Sequence, residues 1–584
     1  MALDSGSSRC LLCIVIVLAA CGSKRPGDDF GNGDDDGGSG VCATNLCSPD
    51  LHDVVDCQGN IIQQCADGLG CASGACVDPC AAAAANTSSV GCDYYAVNPD
   101  SYITANGSCF AAYIANTWNA PVSINVEYNG QQLDTSVMAR IPTGQGTTLQ
   151  YTPLIGGMLQ PNQVAILFLA WHQGILTTAC PTGITAGYTA TDAAAHGTAL
   201  GHAFHITTSA PVVAYDIFPY GGGTSAITSA TLLLPTSAWD TNYVAVDGYA
   251  KSTVTNNPSQ PFIEIVGKED ATHVTIRPKA AIVGGTGVPA AAANSNAVYT
   301  LAKGQVMQMT QDQELMGSVI TSDAPVGVWG GNACMNIPTD VVACDAAHQQ
   351  IPPVKAMGNR YAAVRYRNRW PGQEETPPWR LVGGVDGTTL TYKPSAPAGA
   401  PTSLGVGQMV EFTAAGPFTV ESQDTDHPFY MSAHMTGCEL LNPAGDDCRG
   451  DPEFVNVVPP DQYLSAYTFF TDPTYPETDL VITRERDGGQ FADVNLDCVG
   501  TVSGWLPVDA ADNLEYARVD LVTGNFQGVG TCNNGLHVAT SPNKFGLVVW
   551  GWGSAATGLF STQAVSYAYP AGMSIKPINN VVIE

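Results

Sequence analysis

From about Gly91 to its C-terminus the chain repeats one apolar pattern. Such a repeat constrains the fold more than any single segment, because each copy must be one supersecondary unit stacked on its neighbours. The recurring core is a strand, a turn with Ser or Asp, a Pro, and a second apolar strand. It reads HITTSAPVVAYDI from His205, SVITSDAPVGVWGG from Ser318, TVESQDTDHPFYMSAH from Thr419 and HVATSPNKFGLVVWGWG from His537. In the middle copies a hairpin precedes it, FIEIVGKEDATHVTIRP from Phe262 and WRLVGGVDGTTLTYKP from Trp379, with Asp270 and Asp386 at matching turn positions. A Gly-Gln pair follows each hairpin, Gly304-Gln305 and Gly407-Gln408, and prolines then lead into Tyr-bearing strands at Tyr243, Tyr361 and Tyr467.

Short runs of alternating apolar residues between regular turn signals predict an all-β chain. A period of about 100 to 120 residues holds six or seven strands, enough for a sandwich. The expected architecture is four tandem, antiparallel, β-sandwich-like units of about 110 residues, at about 91–243, 244–361, 362–467 and 468–584. The first is the most divergent and contains FAAYIANTWNAPVSINVEYNG from Phe110. Closure of the repeats into a propeller-like toroid is the alternative, and the period does not separate the two.

Of nineteen cysteines, Cys10, Cys13 and Cys21 belong to the leading segment and sixteen remain. An even number in a non-cytosolic context reads as a disulfide framework. Cys42, Cys47, Cys57, Cys65, Cys71 and Cys76 crowd into a stretch with little apolar content, so residues 42–80 are expected to form a small module stapled by disulfides in place of a core. Cys80 and Cys92 complete that group. Cys334 and Cys344, like Cys438 and Cys448, stand ten apart just after a Pro strand and are expected to close matching loops. Each closure restrains the unfolded chain by about 3 kcal/mol. Cys109 with Cys180 and Cys498 with Cys532 are the further expected pairs.

The leading segment carries Arg9 and the apolar run LLCIVIVLAA at 11–20. That run is too short to span a bilayer as a helix, which takes about 20 residues, and has the layout of a secretory signal. Leu18-Ala19-Ala20-Cys21 resembles the lipobox of bacterial lipoproteins, which implies cleavage before Cys21, acylation of its thiol and membrane attachment without a spanning helix. A Gly/Asp-rich stretch, 21–41, reads as a disordered tether. The expected place is the bacterial cell envelope, lipid-anchored, at the outer membrane and exposed at the surface.

A net charge of −30 argues against nucleic acid as a partner. No G-x-S-x-G, H-E-x-x-H, Walker or G-x-G-x-x-G sequence occurs. No catalytic residue, cofactor or metal site is therefore assigned. His196, His202 and His205, Cys344 with His348, and His434 with Cys438 offer metal-like spacings, for which strand geometry and disulfides are the plainer accounts. Arg449-Gly450-Asp451 forms an RGD, and Trp329, Trp550 and Trp552 form either an aromatic platform or core. Asn86-Thr87-Ser88 and Asn106-Gly107-Ser108 are formal glycosylation sequons.

The run ITSDAPVGVWGGNACMNIPTDVVACDAAHQQIPPV from Ile320, GKEDATHVTI with the later KGQVMQM, and FGLVVWGWG followed by SYAYPAG from Ser566 resemble the N-terminal domain family of the IgG Fc-binding protein. The resemblance spans most of 91–584 and implies a non-enzymatic extracellular binding domain without mapping a ligand. Gly450-Asp451-Pro452 is similar to a self-cleaving GDPH sequence of that animal protein, but Glu453 replaces the His, so cleavage is not expected. The functional expectation is a membrane-anchored, surface-displayed binding or adhesion module for an extracellular protein or glycan. A lipid-anchored enzyme acting on glycan or peptide is the alternative.

Overall fold

The computed structural model describes residues 44–102, 105–222, 225–254, 259–509 and 513–584. The apolar run 11–20, Cys21, the Gly/Asp stretch 21–41 and Cys42 lie outside the described residues. Among those described, no helix is long and apolar enough to cross a membrane.

The Cys-rich segment has too few apolar residues for a core, and its strands are correspondingly short: Leu46–Cys47, Asp53–Val55 and Ile61–Gln64 form one sheet and Gly70–Ala72 pairs with Ala75–Val77. Bonds Cys47–Cys71 and Cys65–Cys76 hold it. A helix, Pro79–Asn86, starts at Asp78, whose carboxylate accepts the Ala81 amide, and Cys80–Cys92 ties it to the first strand of the repeats. The module packs on the body: Leu51 shares a core with Trp118, and the His52 ring stacks on Trp118 at 4.3 Å.

The repeats are antiparallel sheets, and the fold is all-β as the alternation implies. Each is organised by the Pro segment. In three units it is one long strand, Phe204–Phe218, Val319–Met335 and Gly535–Trp552, whose two halves pair with different neighbours. In Val319–Met335 the first half pairs with Asp240–Val244 and Thr272–Arg277, the second with Pro261–Gly267 and Asp345–Gln350. The strand thus crosses from one layer to the other at its bend. In the third unit the longer turn around Pro428 divides it into Phe418–Ser422 and Phe429–Met435, which lie in two separate four-stranded sheets. Pro is tolerated at the bend because it has no amide to offer the ladder. A hydroxyl fixes the bend from below: Thr208, Ser322 and Ser422 donate to the carbonyls of Ala210, Ala324 and His427, each of which precedes the Pro.

The repeated tyrosines lock each unit to its bend. Tyr243 Oη donates to the Val326 carbonyl at 2.8 Å and accepts the Asp240 amide. Tyr361 does the same with Phe429 and Gly358, and Tyr467 with Phe545 and Leu464. Tyr94, bonded to the Val212 carbonyl at 2.7 Å, holds this position in the divergent first unit. The Tyr243 strand therefore opens the second sheet rather than ending the first. The Asp and Gln of the hairpins are turn clamps: Asp270 and Asp386 accept the amides of Lys303 and Val406, while Gln305 and Gln408 accept those of Ala302 and Gly405.

After each bend the strand is buried on both faces, because that half lies at a seam between units. Gly330-Gly331 permits the approach there; a Cβ on Gly330 would stand 1.5 Å from the Val246 carbonyl oxygen. Apolar cores span successive units: Phe204 with Trp329, Ile265 with Tyr430, Phe418 with Trp550, and Tyr569 with Tyr215. The four short strands Ser229–Leu232, Asp345–Gln350, Glu453–Asn456 and Ser566–Pro570 pack in cyclic order, the last returning to the first. Each pairs only within its own sheet. The arrangement is thus a ring of sandwich-like units rather than a closed propeller, with one bridge, Ser88 to Ser574, between its beginning and end.

Candidate functional site

Where the four short strands meet, the interior is polar. Gln349 Nε2 donates to the carbonyls of Ala230 and Ala568, Asn456 Nδ2 to that of Gln350, and the Ser229 hydroxyl faces Glu453. His348 Nε2 lies 2.7 Å from Asp216, both fully buried. The Asp345 carboxylate accepts the amides of Thr228 and Ser566, and the Ser566 hydroxyl lies 2.6 Å from the Asp451 carbonyl oxygen. One carboxylate and one serine thus join all four units.

Burial of a carboxylate disfavours its charged form. Asp345 is raised well above the usual range by burial and by neighbouring Asp451 and Glu453. Asp451 is pushed up to about 8 by burial, and Glu453 is raised well above its ordinary value for the same reason. Burial also raises Asp216, with His348 pulling the other way. Paired to amides and shifted toward the protonated form, such groups fit a buried polar axis.

At one end of this axis a cavity of about 330 Å³ opens. Its floor is Asp345 and Asp451, and its walls are mostly apolar, including Ile227, Val342, Ala343 and Ala564. Each unit contributes the segment after its bent strand. The second contributes the loop closed by Cys334–Cys344 and the third Asp451, just beyond the loop closed by Cys438–Cys448; the two loops meet through the Gly437 amide and the Ile337 carbonyl at 2.8 Å. Cys448 and Trp370 pack with Ala564 beneath them. Exposed apolar residues, Val342, Leu440 and Leu559, lie in these segments.

The side chains singled out by spacing are distributed elsewhere. His196 is gripped by Asp100 at 2.8 Å and Asp192 at 3.0 Å, hydrogen bonds that raise it to about 10. His205 pairs with Asp93 and His202 lies edge-on to Tyr128, so the three histidines do not converge. Cys344 is bonded to Cys334, which leaves no thiolate to accompany His348. His434 is buried against Tyr249 and Phe454 and lowered to about 3, by burial and then by Arg380. Among the described residues, two groupings bring metal-binding residue types within 4.8 Å, Cys438, Cys448 and Asp451, and Asp497, Cys498 and His537. Their cysteines are in disulfides, with Cys498 bonded to Cys532, and the His537 ring is held by Asp497 and the Asn533 carbonyl.

The RGD is built into the structure. Asp451 is 1% exposed, Arg449 binds Asp447 and the Arg369 carbonyl, and the Gly450 carbonyl accepts Arg369. Trp329, Trp550 and Trp552 are buried core. Glu453, in the position of the His in a cleaving GDPH sequence, points to Ser229. Sequence reasoning passed over Asp345, Ser566 and Tyr94; the first two stood inside runs quoted for the family resemblance, and only the spatial closure of the units brings them together.

A family model described as IgGFc binding protein matches residues 229–551, more than half of the chain. Among known proteins, human IgGFc-binding protein is 24% identical over 261 residues, which is 44% of this chain and 4% of that protein. The chain therefore spans only a small part of that relative's length. No solved structure matches. With the match running from the central strand of the first unit to the bent strand of the fourth, the chain belongs to the IgGFc-binding protein family.

Proposed function

We propose that this chain is a non-catalytic binding module for an extracellular protein, and that the partner docks on the disulfide-clasped loops around the axial cavity. The observation that carries the reading is the convergence of residues from all four units on a single mouth, with the exposed Val342 in its lining. Rigid strands fix the loops, and loops so placed select partners. A lipid on Cys21 and the Gly/Asp stretch after it would hold the head at the surface of a bacterial envelope, with adhesion as the outcome.

The test is capture from extracellular protein mixtures by the full chain, with IgG Fc as the first defined probe because of the human relative's name. Saturable binding that V342D weakens at least tenfold supports the reading. Absence of any saturable protein partner, or equal binding by V342D, overturns it. In the same preparation, C21A should abolish fatty-acid labelling and release the chain from membranes.

A second reading has one observation in its favour. Asp345 and Asp451, two carboxyls with raised pKa, share the floor of one cavity, as an acid hydrolase would require. Both are 1% exposed, and both Asp345 oxygens are engaged by backbone amides, which favours a structural role. Peptidase or glycosidase turnover lost in D451N would reverse that preference.

A further inference from the structure

The fourth unit departs from the repeat at one position. The tyrosine locks align the residues that follow Pro211, Pro325 and Pro428 with Phe545, so Lys544 stands where the other units carry the bend proline. The turn proline of this unit, Pro542, comes two residues earlier, which leaves the Lys544 position open to a charged side chain.

Lys544 lies on the wall of a groove of about 500 Å³ between the Cys-rich module and the fourth unit. Lys576 lines the same groove. Its backbone is held by Gln462, which donates to its carbonyl at 2.7 Å. Neither ammonium has an ion-pair or hydrogen-bond partner among the described residues, and both side chains are exposed. Partial loss of water lowers Lys576, and the like charge of Lys544 lowers it further.

Two adjacent unpaired cations are anomalous in a chain of 52 acidic and 22 basic residues. No carboxylate lines this groove. The Asp50 carboxylate, in the adjoining cleft, accepts the Ser48 hydroxyl and the His52 amide. The remaining polar lining is neutral, and the hydroxyls of Ser73 and Ser465 make no hydrogen bond within the described residues. A cleft with low-dielectric walls focuses the field of such a pair onto an anion, while hydroxyls and aliphatic surface, here Leu46, Leu51 and Leu464, suit a sugar's alternating polar and apolar faces.

We propose that this groove is a second binding site, separate from the axial mouth, and that it takes an acidic saccharide whose carboxylate or sulfate sits between Lys544 and Lys576. The hydroxyls of Ser73 and Ser465 meet the sugar hydroxyls. The site stands whether or not a protein binds at the axial mouth, since it shares no residue with it.

The experiment titrates the full chain with a tetragalacturonate, a heparin tetrasaccharide, neutral maltotetraose and a short poly-glutamate, at low and at physiological salt. Saturable binding of at least one acidic saccharide, weakened by salt and absent for maltotetraose, is expected; the uronate and sulfate arms show which anion is preferred. K544Q/K576Q should weaken it at least tenfold, K544R/K576R should restore most of it, and K303Q, an exposed lysine outside the groove, should leave it unchanged. Thermal melts check that each variant is folded. Failure of both acidic saccharides to bind, or undiminished binding by the folded double Gln variant, overturns the site. Poly-glutamate binding as tightly as either saccharide, with the same lysine dependence, overturns the saccharide assignment in favour of an acidic peptide. V342D binding should match the parent chain, which separates this outcome from that at the axial mouth.

Discussion

The Asp345 carboxylate accepts the Ser566 amide at 2.8 Å, across a sequence separation of 221 residues, and its other oxygen accepts the Thr228 amide at 3.1 Å. Three units thus share one buried carboxyl group, and the Ser566 hydroxyl brings in the fourth through Asp451. The ring is held at its centre by a polar knot, while its seams are apolar.

Substitution at this point should be graded. D345A orphans two buried amides, each at about 1–3 kcal/mol, whereas the D345N side chain keeps one acceptor and loses one. Urea denaturation should place D345N between D345A and the parent chain. Equal stability of D345A and the parent would mean the knot contributes nothing.

The tyrosine locks should behave alike. Y243F, Y361F and Y467F each remove a buried hydroxyl that donates to one backbone carbonyl and accepts one amide. Each is expected to cost about 1–3 kcal/mol, with denaturant midpoints falling by similar amounts. Y94F extends the series to the first unit, where the hydroxyl reaches Val212.

Stability should fall as pH rises. Asp451 is pushed up to about 8 and Asp479 to about 7, both chiefly by burial, against 3.8 for an ordinary Asp. The folded chain binds these protons more tightly than the unfolded one, so unfolding is favoured progressively from about pH 4 to pH 8. His196, raised to about 10 by Asp100 and Asp192, contributes stability that is present below 6.5 and lost above it, in the same direction. His434, lowered to about 3, opposes them only as pH falls below 6.5. Melts between pH 5 and 8 should show a shallower slope in D451N than in the parent.

The disulfides should rank by the chain they enclose. Cys109–Cys180 spans 71 residues and Cys438–Cys448 spans ten. In the chain-entropy account their removal costs about 4 and about 3 kcal/mol. Paired Cys-to-Ser variants, compared by denaturant midpoint, should preserve that order.

Alternation and turn chemistry are local, and so the all-β class and the repeating Pro bend were legible in the chain. The Gly-Gln pair was legible for the same reason, since its Gln clamps its own turn, whereas the hairpin Asp was legible as a turn residue but bonds the amide of a different turn. Tyr94 was not, because its surroundings diverge and only its bond to Val212 identifies it.

What the sequence determined by itself is therefore the unit: a strand, a bend, a buried strand and the tyrosine that pins them, all encoded within about 110 residues. The tertiary structure alone decided what the units do together. It placed Asp451 of an apparent RGD in the interior, where Ser566 meets it across 115 residues, and it set Lys544 beside Lys576 on a groove shared with the Cys-rich module. The meeting of Asp345, Asp451 and Ser566 depends on ring closure, a condition on all four units at once, which no local pattern of residues expresses.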